Sequence, residues 1–197
     1  MNLQICISGP SGVGKSTLAK HLSEQYDIPF ITCSTKPLWD KHGIASHEEL
    51  IKKGTMDPKW GYNFQYEVLK FRIESLSGHP NFITDRSPLD NMVYFLLQNC
   101  HLCTQKETED YAKSCNEAMK MFTGIICLPF TPQTVLEDDG KRIVNRHYQM
   151  LVNNTFTSAS FLMKQSLKDI TGDTILIWEW DKRVEQAKKL LDTIKSK

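Results

Sequence analysis

The sequence predicts an α/β fold in which helices wrap a parallel β-sheet. Short apolar segments of strand length alternate with amphipathic helical segments along the chain. Polar side chains directly follow several of these apolar segments, as they do at the carboxyl edge of a parallel sheet. The 197 residues contain no repeat, linker or low-complexity tract, so we expect one domain over 1–197.

The predicted strands are short and mostly apolar. Pro129 ends the fourth of them, because proline has no backbone N–H to donate to a neighbouring strand. Helices are predicted in the connections, which makes all the strands parallel. The five predicted strands are 3–8, 29–33, 81–84, 124–128 and 174–178.

Capping residues and apolar spacing predict the helices. Ser46 is a good N-cap for a short helix, and Ser87 with Pro88 starts a later one. Apart from the short helix, the segment 34–61 is expected to be irregular. A polar excursion over 131–146 precedes the longest helix. The predicted helices are 15–26, 46–53, 62–76, 88–99, 106–122, about 147–170 and 181–194.

The run GPSGVGKST at 9–17 lies between the first predicted strand and the first predicted helix. Its spacing is that of a phosphate-binding loop. Glycines let backbone N–H groups turn inward around a triphosphate, and the helix dipole adds to the attraction. Lys15 would reach the β- and γ-phosphates, and the Ser16 hydroxyl would join the Mg²⁺ shell. The alternative is an ordinary glycine turn. The predicted nucleotide-binding residues are Gly9, Ser11, Gly12, Val13, Gly14, Lys15, Ser16 and Thr17.

An acidic residue and an arginine follow the third predicted strand. Asp85 is expected beside the phosphate-binding loop, where it can hold Mg²⁺ or accept the proton of an attacking hydroxyl. Arg86 is placed to bind the acceptor or the transferring phosphoryl group through its planar guanidinium. The alternative is a solvated strand end at which Asp85 caps the next helix, although Ser87 already supplies a good cap.

A basic flap is predicted within the excursion at 131–146. The run DDGKR at 138–142 places Lys141 and Arg142 after a glycine turn, and Arg146 lies one helical turn further on. Phosphoryl transfer needs cations that close over the developing charge and exclude water. The alternative is a charged surface turn, which is what most charge runs are.

The segment WGYNFQYEVLKFR at 60–72 is a candidate acceptor-binding surface. Gln65 and Arg72 are seven residues apart and share a helix face. Gln65 has the donors and acceptors to bind a base edge, and Trp60 or Phe64 could stack on the ring. The alternative is core packing of the aromatic side chains. Weaker candidates for the same pocket are Lys36 and Trp39.

Composition gives the chain no global attraction to nucleic acids or membranes. Its 24 basic and 23 acidic residues leave a net charge of +1, and no apolar run approaches the length of a membrane span. No secretory leader is evident, so we expect six thiols in a reducing, cytoplasmic location. Cys100 and Cys103 have half-site spacing, so zinc held with Cys115 is an alternative to a plain helix end.

Three runs of the sequence together resemble the nucleoside and nucleoside-monophosphate kinase branch of the P-loop proteins: GPSGVGKST, ITDRSPLD at 83–90, and DDGKR. The triplet at 85–87 is similar to the acid-Arg-Ser of deoxynucleoside kinases and to the Asp-Arg-aromatic of thymidylate kinases. The run at 139–142 resembles the flap of ribosylnicotinamide kinase-like domains. The loop alone also looks like that of guanylate kinases, but the acceptor region does not follow.

The resemblance implies a three-layer α/β/α fold with a five-stranded parallel sheet in the order 2-3-1-4-5, a helical lid, and ATP with Mg²⁺ as donor. Deoxynucleoside kinases carry a glutamate base after the second strand, where this chain has Cys33-Ser34-Thr35. That departure assigns the base role to Asp85. The predicted catalytic residues are Lys15, Asp85, Arg86, Arg142 and Arg146. The predicted metal ligands are Ser16 and Asp85.

We therefore expect transfer of a γ-phosphoryl group to a nucleoside or nucleoside monophosphate. One alternative is a kinase acting on a hydroxymethylated pyrimidine in DNA, which the near-zero net charge disfavours. Another is a P-loop ATPase or GTPase, although the chain has no Asn/Thr-Lys-x-Asp guanine motif. A homodimer is left open.

Overall fold

The sheet has four parallel strands in a computed structural model that describes residues 2–138, 143–163, 170–174 and 179–196. Their order across the sheet is β2-β1-β3-β4. Crossover connections of the length required for parallel pairing separate them. The strands are β1 Gln4–Ser8, β2 Phe82–Thr84, β3 Gly124–Cys127 and β4 Thr171–Thr174.

The prediction of five strands is wrong for the residues that the structure describes. The predicted strand at 29–33 is reduced to one parallel bridge, between Phe30 and Ile83. Ile31 donates its N–H to the Ile83 carbonyl at 2.9 Å, and the Pro29 carbonyl accepts from Ile83 N–H at 2.9 Å. Pro29 has no N–H with which to extend this pairing. The remaining order agrees with the prediction once this strand is removed.

The last predicted strand is also displaced along the chain. It was expected at 174–178, whereas β4 precedes most of that range and residues 175–178 lie outside the described part. Its polar sequence TGDT lacks the apolar signal that sequence reading requires. A Cβ at Gly172 would lie 2.7 Å from Ile125 Cγ2, so glycine permits the close approach of β4 to β3.

Eight helices are described, and most begin where capping residues predict. Ser46 accepts from Glu49 N–H, and Ser87 forms a capping box with Asp90 in front of Pro88. A short 3₁₀ turn follows at Cys100–Leu102. The helices are α1 Lys15–Tyr26, α2 Lys36–His42, α3 His47–Met56, α4 Pro58–Leu76, α5 Pro88–Gln98, α6 Gln105–Met119, α7 Arg146–Met163 and α8 Trp180–Lys195.

Two differences from the predicted helices matter for the site. Helix α2 lies in the segment that was expected to be irregular, and it starts with Pro37 in its first turn and ends at Gly43. The lid was expected to be helical over 131–146, but 131–138 and 143–145 are irregular. Residues 139–142 lie outside the described part of the chain, as do 164–169 after α7.

The strands separate two apolar cores. Ile5 and Ile7 of β1 point to the face covered by α1 and α8, whereas Cys6 points to the face covered by α4, α5, α6 and α7. This alternation follows from the two-residue period of a strand. The predicted three-layer arrangement is therefore present. A smaller cluster joins α2, α3 and α4 beside the carboxyl edge of the sheet.

Register brings two polar segments together at that edge. Cys6 of β1 is paired with Thr84 of β2, so the loop after β1 and Asp85 after β2 leave the sheet side by side. No helix among the described residues is both long and apolar enough to cross a membrane.

Candidate active site

Three glycines shape the loop between β1 and α1. Gly9, Gly12 and Gly14 have φ angles of 142°, 80° and 87°, in the region that favours glycine. A Cβ at Gly9 would lie 2.1 Å from the carbonyl oxygen of Leu128, so the loop packs tightly against the end of β3. The run predicted to bind phosphate thus turns sharply at the carboxyl edge of the sheet, directly before α1.

The Lys15 side chain lies across this loop. Lys15 is buried, and its ammonium donates to the carbonyl oxygens of Gly9 at 2.7 Å and Pro10 at 2.5 Å. The positive charge is therefore held against the loop rather than in solvent. Other predicted loop residues are placed as follows: Ser11 lines a cavity beside the loop, Val13 is buried in the core, and Ser16 and Thr17 are exposed in the first turn of α1.

Asp85 meets the loop at Ser16. The Ser16 hydroxyl donates to Asp85 Oδ2, and Asp85 Oδ1 is buried with no hydrogen-bond partner. A hydroxyl beside a carboxylate with an unused oxygen suits Mg²⁺, which takes oxygen ligands and binds through one or two protein groups plus phosphates. The described residues contain no group of three histidine, cysteine or carboxylate side chains that could hold a metal without such help. The residues present therefore fit a phosphate-bound magnesium ion.

Arg86 is held at the start of α5. Its Nη1 donates to Asp90 Oδ1 at 3.2 Å, and Asp90 Oδ2 accepts from Ser87 N–H at 3.0 Å. The Ser87 hydroxyl also lies 2.6 Å from that of Ser8 at the end of β1. Burial favours a lower pKa for Arg86, but the charge of Asp90 outweighs it and raises the pKa. Arg86 is thus a fixed cation beside the loop.

A cavity of about 360 Å³ opens between the loop and helices α2 to α5. Ser11 and Arg86 line it, and so do Phe64, Gln65 and Arg72 of α4. The weaker candidates Lys36 and Trp39 line it as well. The structure thereby joins the segment at 60–72 and the loop at 9–17 around one partly open cavity, which is of the size that binds small molecules.

Two polar side chains of α4 are fixed within this cavity. The Gln65 amide donates to Asn99 Oδ1 at 3.1 Å and lies 3.5 Å from Gln98 Oε1. Arg72 donates to Asn91 Oδ1, while its buried Nε has no hydrogen-bond partner. Burial and the neighbouring charge of Arg86 lower the pKa of Arg72. A ligand with a hydrogen-bond acceptor would satisfy this buried cation.

Trp60 is placed differently from its predicted partners. Its ring stacks on Phe64 with centroids 5.0 Å apart, and the Lys53 ammonium lies over the Trp60 ring, 4.6 Å from its centroid. Trp60 does not line the 360 Å³ cavity. Phe64, on which Trp60 stacks, does line it, so the contact of Trp60 with the acceptor stays a prediction.

The predicted flap cations are only partly described. Arg142 lies outside the described residues. Arg146 begins α7 and donates to the carbonyl oxygens of Pro132 at 2.7 Å and Thr131 at 3.2 Å. Its guanidinium carbon also lies 5.1 Å from the centroid of the Phe130 ring. In this structure Arg146 joins the segment after β3 to α7.

Two further residues of this region carry no signal in the sequence. His47 of α3 lines the cavity and accepts from the Gln98 amide at 2.5 Å. Burial, with the charge of Arg86, lowers the pKa of His47 to about 4. Arg183 of α8 donates to the Val13 carbonyl at 2.9 Å. Neither residue belongs to a motif, and Arg183 is 170 positions from the loop it contacts.

Within the described ranges, the half-site formed by Cys100 and Cys103 is not completed to a group of three ligating side chains. Cys100 Sγ lies 2.8 Å from the Leu96 carbonyl oxygen, and Cys115 is buried within α6. No cluster of three ligating side chains exists in the described residues. The 3₁₀ turn at Cys100–Leu102 therefore has the geometry of a helix end.

This edge of the sheet has the organisation of a P-loop phosphotransferase. The sequence model of the deoxynucleoside kinase family matches residues 5–192, nearly the whole chain. The chain therefore belongs to the deoxynucleoside kinase family and is a nucleoside kinase. No curated protein sequence matches it.

Two solved structures share the fold of this chain. A deoxyadenosine kinase from M. mycoides, solved with the products dCMP and dCDP, is 19% identical with a TM-score of 0.67; the match covers 98% of this chain and 100% of that one. A NadR protein in complex with NR is 12% identical with a TM-score of 0.68, over 97% of this chain. The match spans 52% of the NadR chain.

Proposed function

We propose that this protein transfers the γ-phosphoryl group of ATP, with Mg²⁺, to a nucleoside or a (deoxy)nucleoside monophosphate bound in the 360 Å³ cavity. One observation carries the proposal: the Ser16 hydroxyl of the loop and Asp85 of the next strand meet beside the cavity that Arg86 lines. A metal-bound polyphosphate and an acceptor hydroxyl or phosphate would therefore be neighbours.

The donor side is assigned to the loop. Its backbone N–H groups and the first turn of α1 would bind the phosphates, with Lys15 on the β- and γ-phosphates. Ser16 and Asp85 would hold Mg²⁺, which neutralises the phosphate charge when it is bound. From the lid, we propose that Arg142 and Arg146 act on the charge of the transition state.

Proton removal from an acceptor hydroxyl is assigned to Asp85. The neighbouring Cys33 cannot take this role, because burial raises the pKa of its thiol and keeps it protonated. Cys33 is also only 1% exposed. A monophosphate acceptor would need no such base, since its oxygen is already ionised.

The acceptor side is assigned to α4 and Arg86. Phe64 offers a ring face, and Gln65 and Arg72 offer hydrogen bonds to a base edge. The net charge of +1 and the small volume of the cavity favour a free nucleoside or nucleotide over DNA. All six cysteines are free thiols, which supports a reducing compartment such as the cytoplasm.

A coupled assay of ADP release tests the proposal. ATP and Mg²⁺ are supplied with a panel of nucleosides, deoxynucleosides and their monophosphates, and product formation is confirmed by mass spectrometry. We expect acceptor-dependent release that Lys15→Ala abolishes, because the loop loses its phosphate-binding cation. Slow ADP release that no acceptor stimulates would instead indicate an ATPase, and would contradict the kinase proposal.

A further inference from the structure

Arg183 contacts the phosphate-binding loop from a distant part of the chain. It lies in the first turns of α8, is 4% exposed, and donates from Nη1 to the Val13 carbonyl at 2.9 Å. The same Nη1 would lie 3.4 Å from a Cβ at Gly14. A guanidinium is therefore buried against the outer side of the loop, at the peptide that joins Val13 to Gly14.

The contact of Arg183 with the Val13 carbonyl also determines the direction of the Gly14 N–H. In a trans peptide, the carbonyl of one residue and the N–H of the next point in opposite directions. Arg183 holds the Val13 carbonyl toward α8, so the Gly14 N–H is held away from α8. Gly14 has φ +87°, a left-handed conformation that costs glycine little.

Helix α8 is firmly placed against α1, so Arg183 acts from a rigid support. Tyr26 at the end of α1 donates to Asp192 Oδ1 at 2.9 Å. His21 and Trp180 meet edge to face with ring centroids 5.5 Å apart. Val13 itself packs in the core between these helices. The helix that carries Arg183 is therefore packed directly against the helix that starts at the loop.

We propose that Arg183 is a positioning residue: by holding the Val13 carbonyl outward, it pre-orients the Gly14 N–H for the donor phosphates. This inference rests on the proposed use of ATP. It assigns to Arg183 an effect on donor binding alone, since the acceptor cavity is lined by other residues. Pre-orientation removes an ordering cost that the ligand would otherwise meet on binding.

The test compares Arg183→Met, which keeps length but has no donor, with Arg183→Lys, which keeps a charged donor. Lys182→Met is the matched control, because Lys182 is a neighbouring α8 cation with a side chain 67% exposed. The dissociation constant of a non-hydrolysable ATP analogue with Mg²⁺ is measured by calorimetry, and KM values for ATP and for the acceptor are measured separately.

We expect Arg183→Met to weaken the analogue about ten-fold or more, since the lost hydrogen bond has a charged donor. Arg183→Lys should recover part of the loss, and the acceptor KM should stay within about two-fold. The Gly14 amide resonance, which shifts on analogue binding in the wild type, should shift less in Arg183→Met. If Arg183→Met does not fold, Arg183→Lys carries the comparison, with a smaller loss expected.

Three results would overturn the inference. They are unchanged analogue affinity in the Arg183 variants, an equal loss in Lys182→Met, and an equal rise of both KM values. The first two exclude a role for the carbonyl contact, and the third indicates general loss of structure. Absence of analogue binding to the wild type would instead contradict the proposed function.

Discussion

Asp85 is the residue at which the metal site and the proton acceptor coincide. Its Oδ2 is bound to the Ser16 hydroxyl, while its Oδ1 is buried without a partner. A carboxylate oxygen left in that state costs free energy in the unliganded protein, and a cation or an acceptor proton would recover it. Both roles proposed for Asp85 need its negative charge, so an isosteric change that removes the charge tests them together.

Asp85→Asn keeps the shape of the side chain but removes its charge. We expect kcat to fall by roughly 10²- to 10⁴-fold, the range of a lost general base, with little change in ATP-analogue affinity. Steady-state kinetics and calorimetry measure the two quantities. Asp110→Asn, at an exposed pair with Lys106, is the control and should leave both unchanged. Unaltered turnover in Asp85→Asn would show that neither role is correct.

His47 gives the folded protein a defined sensitivity to acid. Its folded-state pKa of about 4 lies below the ordinary 6.5, so the unfolded chain binds the proton more tightly. Stability is then complete above about pH 6.5 and is lost as pH falls toward 4, by on the order of 2–3 kcal/mol.

Denaturant unfolding of wild type and His47→Gln at pH 7 and pH 5 measures this contribution. The glutamine has no titration in this range, so the variant should lose less stability between the two pH values than the wild type. His101→Gln, at an exposed histidine, should behave like the wild type. Parallel curves for wild type and His47→Gln would mean that His47 is not buried as described.

Single side chains could be predicted where a motif fixes their spacing. The contact of Ser16 with Asp85 follows from a loop and a strand end that both lie at the carboxyl edge of one sheet. The role of Trp60 stays a prediction, because spacing on a helix does not say which of two stacked rings faces a cavity. His47 and Arg183 could not be found at all, since only the tertiary fold brings α3 and α8 to the site.

The N-terminal cap of helix α5 positions the Arg86 side chain. Its capping box places Asp90 under Arg86, and the cap residue Ser87 also contacts Ser8 of β1. Helix α6 has the same box with Thr104 and Glu107, but at the surface. The two capping boxes can therefore be compared directly: the one in α5 stabilises its helix and positions Arg86, whereas the one in α6 only stabilises its helix.

Ser87→Ala should destabilise the protein by about 1–2 kcal/mol, and Thr104→Ala by about 1 kcal/mol or less. Only Ser87→Ala should also lower kcat, because Asp90 loses a partner that fixes its position under Arg86. Thermal unfolding and ADP-release kinetics measure the two effects. Equal losses of kcat in the two variants would contradict the idea that the Ser87 cap positions Arg86 for the reaction.

Elements with strong local signals were predicted closely, and those with tertiary causes were not. Helix α1 has the predicted bounds 15–26, and α5 starts at the predicted Pro88. Helix α2 was missed because its seven residues include a proline and a tryptophan, and its Leu38 is buried only against α3 and α4. The strand TGDT was missed because its place depends on the close approach of Gly172 to β3.

Donor binding should stabilise the whole molecule, because the loop joins β1, α1 and, through Arg183, α8. An ATP analogue at a hundred times its dissociation constant would add about 2.7 kcal/mol, or roughly 5–10 °C in Tm for a chain of this size. Differential scanning fluorimetry measures the shift, and Lys15→Ala should abolish most of it. If the Tm of the wild type did not change on addition of the analogue, binding at the loop would be contradicted.

The architecture as a whole was predictable in class but not in detail. Alternating strands and helices gave the parallel sheet, and the resemblance gave its order apart from the strand at 29–33. The size of the acceptor cavity could not be predicted, because it depends on how α2 and α3 pack against α4. Packing between helices produces no periodic sequence pattern from which the volume of a cavity could be predicted.

The central position of β1 has a consequence for biosynthesis. Its neighbours β2 and β3 begin at residues 82 and 124, so neither flank of Gln4–Ser8 can be paired until long after it has been translated. At ribosomal speed, about 5–20 residues per second, that interval is on the order of ten seconds. Before β2 and β3 have been translated, both edges of the short apolar strand β1 are unpaired. Nascent-chain pulse labelling should therefore find β1 fully protected only after β3 has emerged, and chaperone occupancy of this segment should be highest before that point.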